Sequence, residues 1–364
     1  MKKLYFLLFL ASSAVLNAQI VDIPDANFKN ALINTDCVDT NGDDIPDSDA
    51  DTNDDNEIQV SEAEAVIKLY VDFQNIASLE GIASFTNIEV LFCDFNQLTV
   101  LDVSQNPALT FLLCASNELT NLDVTQNPNL EQLWCASNNL TSLDTSQNPN
   151  LTRLSCGANN IASLDITQNP ELDIVTCAAN GMTSLLTQNP NLTGLYCWMN
   201  ELVHLDVSQN PNLLNFSCRD NNLTGLNLAN GANVNIVSML AFGNPNLTCI
   251  QVDDETAIYP ECNTDANTGW CIDDTAFYSE NCTFGIGKKD ALAIILYPNP
   301  AFNRLYISSL EPLQDVKVYN ASGRLVMNVR KDQDEIDVSA LSAGLYFVQA
   351  FNGAKTVTTR FVKR

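Results

Sequence analysis

Apolar residues recur along this chain with a short period and hold the same places in each period. One copy, Leu133-Trp134-Cys135-Ala136-Ser137-Asn138-Asn139-Leu140, follows the frame L-x-C-x-x-N-x-L. Cys93, Cys114, Cys135, Cys156, Cys177, Cys197 and Cys218 mark that frame at spacings of 21, 21, 21, 21, 20 and 21 residues. Between frames runs a second phrase, L-D-V-S-Q-N-P-N-L with small variations, in which Asn-Pro recurs from Asn106-Pro107 to Asn210-Pro211. A coil this short cannot bury its own apolar edge, so the pattern predicts a solenoid whose coils bury that edge against one another. In L-x-C the Leu and Cys are two residues apart and share the inner face of a short strand, while the residue between them points outward. The Asn after them sits where the chain bends, and its amide can satisfy backbone groups that the bend leaves unpaired. Asn-Pro marks a second turn, because Pro fixes its own φ and restricts the residue before it. One coil lacks a residue at Leu185-Leu186-Thr187, where a local bulge is expected.

The frame resembles that of leucine-rich-repeat proteins, with Cys in place of one Leu, over roughly Val66 to Ile250. The resemblance implies a mainly β, right-handed solenoid of parallel strands whose exposed, concave strand face is the ligand surface. Outward positions place Phe92, Trp134 and Tyr196 on that face, with Phe111, Arg153, Trp198 and Arg219 in neighbouring lanes. Aromatics on an otherwise small and polar surface are typical of recognition patches. The seven thiols have two readings, a metal or redox ladder and a column of small apolar plugs. Metal sites gather their ligands about one point, whereas these thiols lie along a line, which favours buried, reduced cysteines.

The solenoid needs a cap at each end. Residues 19–65 are the N-terminal cap, opening on a short helix from Asp25 whose Phe28, Ala31 and Leu32 fall on one side. Within it lies Asp51-x-Asn53-x-Asp55-x-Glu57-Ile58-x-x-x-Glu62, which matches the ligand spacing of an EF-hand calcium loop. Asn56 stands where that loop has Gly, and no flanking helix pair is evident. Asp39, Asn41, Asp43 and Asp47 offer a poorer second ligand set. The alternative is a solvated acidic loop; calcium is favoured because ten carboxylates from Asp39 to Glu62 have no basic residue among them. Residues 251–284 are the C-terminal cap. There Cys249, Cys262, Cys271 and Cys282 are disulfide candidates with three possible pairings, one of them the nested Cys249–Cys282 with Cys262–Cys271. Cys37 is left over, unpaired or buried in the N-terminal cap.

Residues 1–18 read as a signal peptide: Lys2 and Lys3, an apolar run from Leu4 to Leu16, and a small residue, Ala18, for cleavage. The run is too short for a transmembrane anchor. Residues 285–295 read as a linker. After it come strand-like runs, among them Val316-Lys317-Val318-Tyr319 and Gly344-Leu345-Tyr346-Phe347-Val348, suggesting a small β-sandwich. This tail, residues 296–364, resembles the type A C-terminal sorting domain of the type IX secretion system. The matching residues include Tyr297-Pro298-Asn299-Pro300, Gly323-Arg324-Leu325-Val326, Ile336-Asp337-Val338-Ser339 and the basic end Arg360-Phe361-Val362-Lys363. The resemblance implies the type IX machinery as partner, removal of the tail, and a product released or attached at the cell surface.

The net charge of −27 is unevenly spread. Residues 19–284 hold 37 acidic and 4 basic residues, and the residues after 284 hold 7 and 11. The acidic body disfavours nucleic acid and anionic membranes as partners. Catalysis is poorly supplied: His204 is the only histidine, and no Gly-rich phosphate loop precedes a helix. The expected function is therefore a secreted or cell-surface binding or adhesion module for a protein or glycan. The runner-up is a purely structural surface-layer or matrix component, with an enzyme third.

Overall fold

The computed structural model describes residues 19–263, 265–282, 294–309, 313–321, 323–329, 335–353 and 356–364. The expected signal peptide and nearly all of the expected linker lie outside them.

Each coil contributes a three-residue strand. Lys68–Tyr70, Val90–Phe92, Phe111–Leu113, Gln132–Trp134, Arg153–Ser155, Ile174–Thr176, Gly194–Tyr196, Asn215–Ser217, Ser238–Leu240 and Gly269–Cys271 make one parallel sheet of ten strands. Neighbours pair in register, Leu112 beside Leu133 beside Leu154. The central residue of each strand is therefore stacked into a column, from Leu69 to Phe216 all 1 % exposed or less. The cysteines form the next column, each just past its strand and each fully buried. Further columns such as Leu98, Leu119, Leu140 and Leu109, Leu130, Leu151 complete a core shared by all the coils. Every full burial of such a side chain contributes roughly 1.5–3 kcal/mol, so the stack is held by area that no single coil could bury.

Two ladders of asparagine amides join the coils. Asn138 Nδ2 donates to the Cys114 carbonyl of the preceding coil (3.0 Å) and to the Cys135 carbonyl of its own (3.2 Å). Its Oδ1 accepts the Leu119 N–H of the preceding coil at 3.0 Å. The same arrangement recurs at Asn117, Asn159 and Asn221. The bend these bonds hold puts the residue two after each Cys in the left-handed region, with φ 53° at Ser116 and 57° at Ser137. In the second ladder the Asn of Asn-Pro donates backwards twice, Asn148 Nδ2 to the carbonyls of Val124 (2.9 Å) and Asn127 (2.8 Å).

From Asn159 onward a second line of strands follows the Asn turn. Ser163–Asp165 pairs with Ser184–Leu186, while His204–Asp206, Gly225–Asn227, Cys249–Gln251 and Phe277–Ser279 form a separate sheet. The seam between these two sheets falls at the short coil. The bulge expected at Leu185-Leu186-Thr187 is not there: Ser184–Leu186 pairs in register with its neighbour. Thr187 instead takes the buried place that Ile166 fills one coil earlier, and the turn after it is shortened. The front sheet passes this coil unbroken, since Gly194–Tyr196 pairs in register with strands on both sides. Both sheets also continue beyond the boundary expected at 250, to Gly269–Cys271 and Phe277–Ser279. The sequence there has lost the Leu-x-Cys spacing, and Trp270 fills the Leu column instead.

The caps close the two ends. Helix α1 (Ala26–Asn34) buries Phe28, Ala31 and Leu32. Asp25 caps it, accepting the N–H groups of Asn27 and Phe28, and its other oxygen accepts those of Ala77 and Ser78. One carboxylate thus ties the cap to the first coils. Burial works against this charge, but the four N–H donors hold its carboxyl below the usual range. At the other end Trp270 stacks on Tyr259 at 3.9 Å and donates from Nε1 to the Ile236 carbonyl. The structure pairs Cys249 with Cys282 and Cys262 with Cys271.

The tail has its own core of Leu305, Ile307, Val316, Val318, Ile336, Val338, Val348 and Phe361. Two antiparallel sheets supply it. One holds Ile295–Tyr297, Arg304–Ser308 and Glu335–Asp337; the other holds Leu325–Val329, Asp315–Asn320, Gly344–Phe351 and Thr356–Lys363.

Candidate functional site: the outward face of the front sheet

Because strand side chains alternate, the residues flanking each buried Leu face outward in two lanes. At the N-terminal end these lanes are aromatic. Tyr70 meets Phe92 at 5.1 Å between ring centroids, Phe92 meets Phe111 at 4.9 Å, and Phe111 meets Trp134 at 5.4 Å, all edge to face. Four rings on four successive strands thus form one continuous aromatic run on the outside of the molecule, with Trp134 36 % exposed. Arg153 stands on the next strand, in register with Gln132, and among the described residues it forms no ion pair. Beyond it the lanes turn small and polar at Ser155, Thr176 and Ser217.

The other expected ligand residues do not join this run. Tyr196 stands between Thr176 and Ser217, with its ring against Gly194, where a Cβ would meet it at 3.3 Å. Trp198 and Arg219 lie past the strands, on the turn. Arg219 lies over the rings of Trp198 (4.8 Å) and Phe242 (5.7 Å) and pairs with Asp220 at 2.9 Å. It is engaged within the chain, in contrast to Arg153. Sequence reasoning left Tyr70 out of the site, although it occupies the same lane as Phe92. It also passed over Phe73 and Phe95, which stack at 4.2 Å on the adjoining turn while 63 % and 51 % exposed.

Burial raises the ladder thiols, pushing Cys156 and Cys197 up to about 12, so these cysteines are held as neutral thiols along the core. Cys37, also buried, is pushed up to about 12, chiefly by burial and then by the charge of Asp49. The recurring aspartates cap turns: Asp102, Asp123, Asp144, Asp165 and Asp206 each accept the backbone N–H two residues ahead.

The acidic loop adopts the turn that its spacing predicts. Asn56 has φ 65°, so it takes the left-handed place where an EF-hand loop has Gly. The ligand side chains are committed elsewhere. Asp51 accepts the N–H groups of Asp55 and Asn56. Asn53 accepts the Asp55 N–H, and Asp55 accepts the Glu57 N–H. Glu62 accepts the N–H groups of Thr52 and Gln59, capping the helical turn Val60–Ala63. Glu57 pairs with Lys29 at 2.6 Å. In the second set Asp47 accepts from Thr40 and Asn41, and Asp39 pairs with Lys68 at 2.9 Å. Part of the counter-charge comes from outside the acidic stretch, from Lys29 and Lys68, against ten carboxylates. Among the described residues no three acidic, His or Cys side chains converge as a metal would need.

Residues 295–364 match the family described as a secretion system C-terminal sorting domain. No curated protein matches the chain. Similar solved structures include the functional domain of InlJ from Listeria monocytogenes, described as including a cysteine ladder; it is 21 % identical over 95 % of this chain and 98 % of that one, with a TM-score of 0.34. An internalin C2 from Listeria monocytogenes is 19 % identical over 59 % of this chain and 93 % of that one, with a TM-score of 0.47. The protein LIC12759 of Leptospira interrogans is 22 % identical over 46 % of each chain, with a TM-score of 0.41. The solenoid architecture rests on the strand register and the repeat of this chain itself. No helix among the described residues is long and apolar enough to cross a membrane. The chain thus joins a solenoid of parallel strands, built on a repeat of about 21 residues, to a region that matches a secretion system C-terminal sorting domain.

Proposed function

We propose that this chain is a binding or adhesion module, exported by the type IX secretion system and presented at the outer cell surface or released there. The aromatic run from Tyr70 through Phe92 and Phe111 to Trp134 carries this reading, with Arg153 beside it, a cation without an ion-pair partner among the described residues. Such rings bury much area at little cost in side-chain entropy, and they dominate recognition surfaces for that reason. The ligand is a protein or glycan. The aspartates that an enzyme would need as acid and base are occupied as turn caps, which supports a module without catalysis. Export rests on the sorting-domain match.

Two experiments test it. A glycan and surface-protein array probed with the full chain should give hits that Trp134→Ala and Phe111→Ala abolish at unchanged stability. Hits unaffected by both variants would remove the front face as the site. Self-association of the purified chain without ligand, together with an empty array, would favour a structural surface component. Removing residues 296–364 should leave the protein in the periplasm; unchanged surface export would overturn the sorting role.

Calcium stays a proposal for the acidic loop, supported by its preset turn at Asn56. Binding would require Glu62 to leave its cap, whereas Glu57, whose place in such a loop ligates through its backbone carbonyl, can keep Lys29. Calorimetry decides it: heat lost in both Asp51→Ala and Glu62→Ala supports the ion, and no heat at millimolar calcium removes it.

A further inference from the structure

The turn that follows the front strands forms an edge running the length of the solenoid, and both of its ends carry aromatic rings and carboxylates. At the C-terminal end the residue after the Cys column is Trp198, then Arg219, then Phe242 in successive coils. The guanidinium of Arg219 lies over both rings and pairs with the Asp220 carboxylate. Between the two ends this edge carries only small residues, such as Ala136, Gly157 and Ala178.

At the N-terminal end the two residues past the column are Asp72-Phe73 in one coil and Asp94-Phe95 in the next, so ring and carboxylate exchange the places that Trp198 and Asp220 hold. The coils are joined there by the Phe73 N–H donating to the Asp94 carbonyl at 3.1 Å. The rings stack face to face with 9° between their planes, and both are more than half exposed. Beside them Asp94 is only 8 % exposed, yet among the described residues its carboxylate has neither an ion pair nor a hydrogen bond from another residue. Burial, reinforced by the charge of Asp72, pushes its carboxyl up to about 6. Two rings and two carboxylates are present; the cation found at the other end is missing. The nearby lysines do not supply it, since Lys29 is held by Glu57 and Lys68 by Asp39 and Asp44.

We propose that Phe73, Phe95, Asp72 and Asp94 form a docking edge for an arginine side chain of a partner protein, which completes from outside the arrangement that Arg219 completes internally. A guanidinium is planar and weakly hydrated, so it stacks on an aromatic face and donates to a carboxylate in the same pose. The field of the body favours such a partner: 37 acidic residues against 4 basic ones in residues 19–284, three of those four in ion pairs. The edge is separate from the front-face aromatic run.

The test uses the full chain and three synthetic peptides of one length, in which Gly alternates with Arg, Lys or citrulline. The arginine peptide should bind most tightly and the citrulline peptide not at all. Phe95→Ser and Asp94→Asn should each weaken arginine-peptide binding at least tenfold. A charge-matched control, Asp144→Asn, neutralises a turn cap away from this edge and should change it less than twofold. Asp94→Asn removes a buried charge, so its thermal midpoint should not fall, which separates lost binding from lost folding. Trp134→Ala should leave the arginine peptide bound, which keeps this test independent of the front-face reading. Equal losses in the control and site variants would show general attraction to an acidic surface and overturn the proposal. Undiminished binding by Phe95→Ser, or no preference for arginine over citrulline, would also overturn it.

Discussion

The second asparagine ladder contains an experiment already performed once by the chain itself. Asn106, Asn127, Asn148 and Asn210 each bury an Oδ1 with no hydrogen-bond partner. Asn169 does not, because the Thr145 hydroxyl of the preceding coil donates to its Oδ1 at 2.8 Å. Thr145 occupies the place that Val124 holds one coil earlier, and the two are nearly isosteric. Their carbonyls meet the following Asn alike, at 2.8 Å from Thr145 and 2.9 Å from Val124. A hydroxyl at position 124 would therefore face the empty Asn148 Oδ1. Burying a Thr hydroxyl in place of a Val methyl ordinarily costs about 1–3 kcal/mol. Here the new bond both satisfies the hydroxyl and ends a buried vacancy that costs about 1–3 kcal/mol by itself. Val124→Thr should therefore be neutral or stabilising by up to ~1 kcal/mol, whereas Thr145→Val should destabilise by ~1–2 kcal/mol by orphaning Asn169. Urea unfolding followed by Trp134 fluorescence reads both, since Trp134 lies between these two positions in the chain. A loss of more than ~2 kcal/mol in Val124→Thr, with Thr145→Val neutral, would refute the reasoning. It would mean that the vacant oxygens cost nothing and that shape alone decides the site.

Further consequences can be measured directly. Cys135→Ala removes one buried atom from the thiol column and should cost ~0.5–1.5 kcal/mol; thiol reagents should label the column of the native protein only at its unfolding rate. Breaking Cys249–Cys282 by Ala substitution at both positions opens a loop of 33 residues and should cost about 3–4 kcal/mol in unfolding free energy. Asp25→Ala should cost ~1 kcal/mol as a lost helix cap. Because the Asp25 carboxyl is lowered in the folded state, its contribution is present above the unfolded value and lost as pH falls through the folded one. A wild-type advantage over Asp25→Ala at pH 7 that persists at pH 2 would contradict this. Asp94 works in the opposite sense. Its raised carboxyl disfavours the folded state at high pH, so Asp94→Asn should raise the urea midpoint at pH 8. That gain should fade as pH falls below about 6.

The repeat was legible because one physical demand, burial by stacking, is written seven times. Leu133, Cys135 and Asn138 could each be placed from spacing alone, and the tail was legible from strand runs between turns. What escaped was whatever depends on contacts between coils or on departures from the frame. The short coil at Leu186 looked like a bulge because the sequence does not say that Thr187 can drop into a buried Ile place. The strand at Gly269–Cys271 was hidden because Trp270 replaces a Leu outside the usual spacing. In the site, Phe92, Phe111 and Trp134 were found by lane, but Tyr70 escaped because its coil has Val71 where the frame has Cys. Trp198 and Arg219 were assigned outward roles that their mutual stacking changes. The acidic loop shows the same limit. It holds no basic residue of its own, and the two lysines that pair with it, Lys29 and Lys68, lie before and after it in the chain.

Every amide of the two asparagine ladders reaches in one direction, back toward the coil made before it. Asn117 closes groups of the coil of Cys93, Asn138 those of the coil of Cys114, and Asn221 those of the coil of Cys197. The last bend in the series is closed from the cap, where Asp273 accepts the N–H groups of Gly243 and Asn244. The solenoid therefore has a polarity of completion. A chain that emerges amino end first can seal each winding as soon as the next arrives, with no need of anything still to be made farther on. Truncation within the repeats exposes one unsealed winding at the new carboxyl end, wherever among them the cut falls.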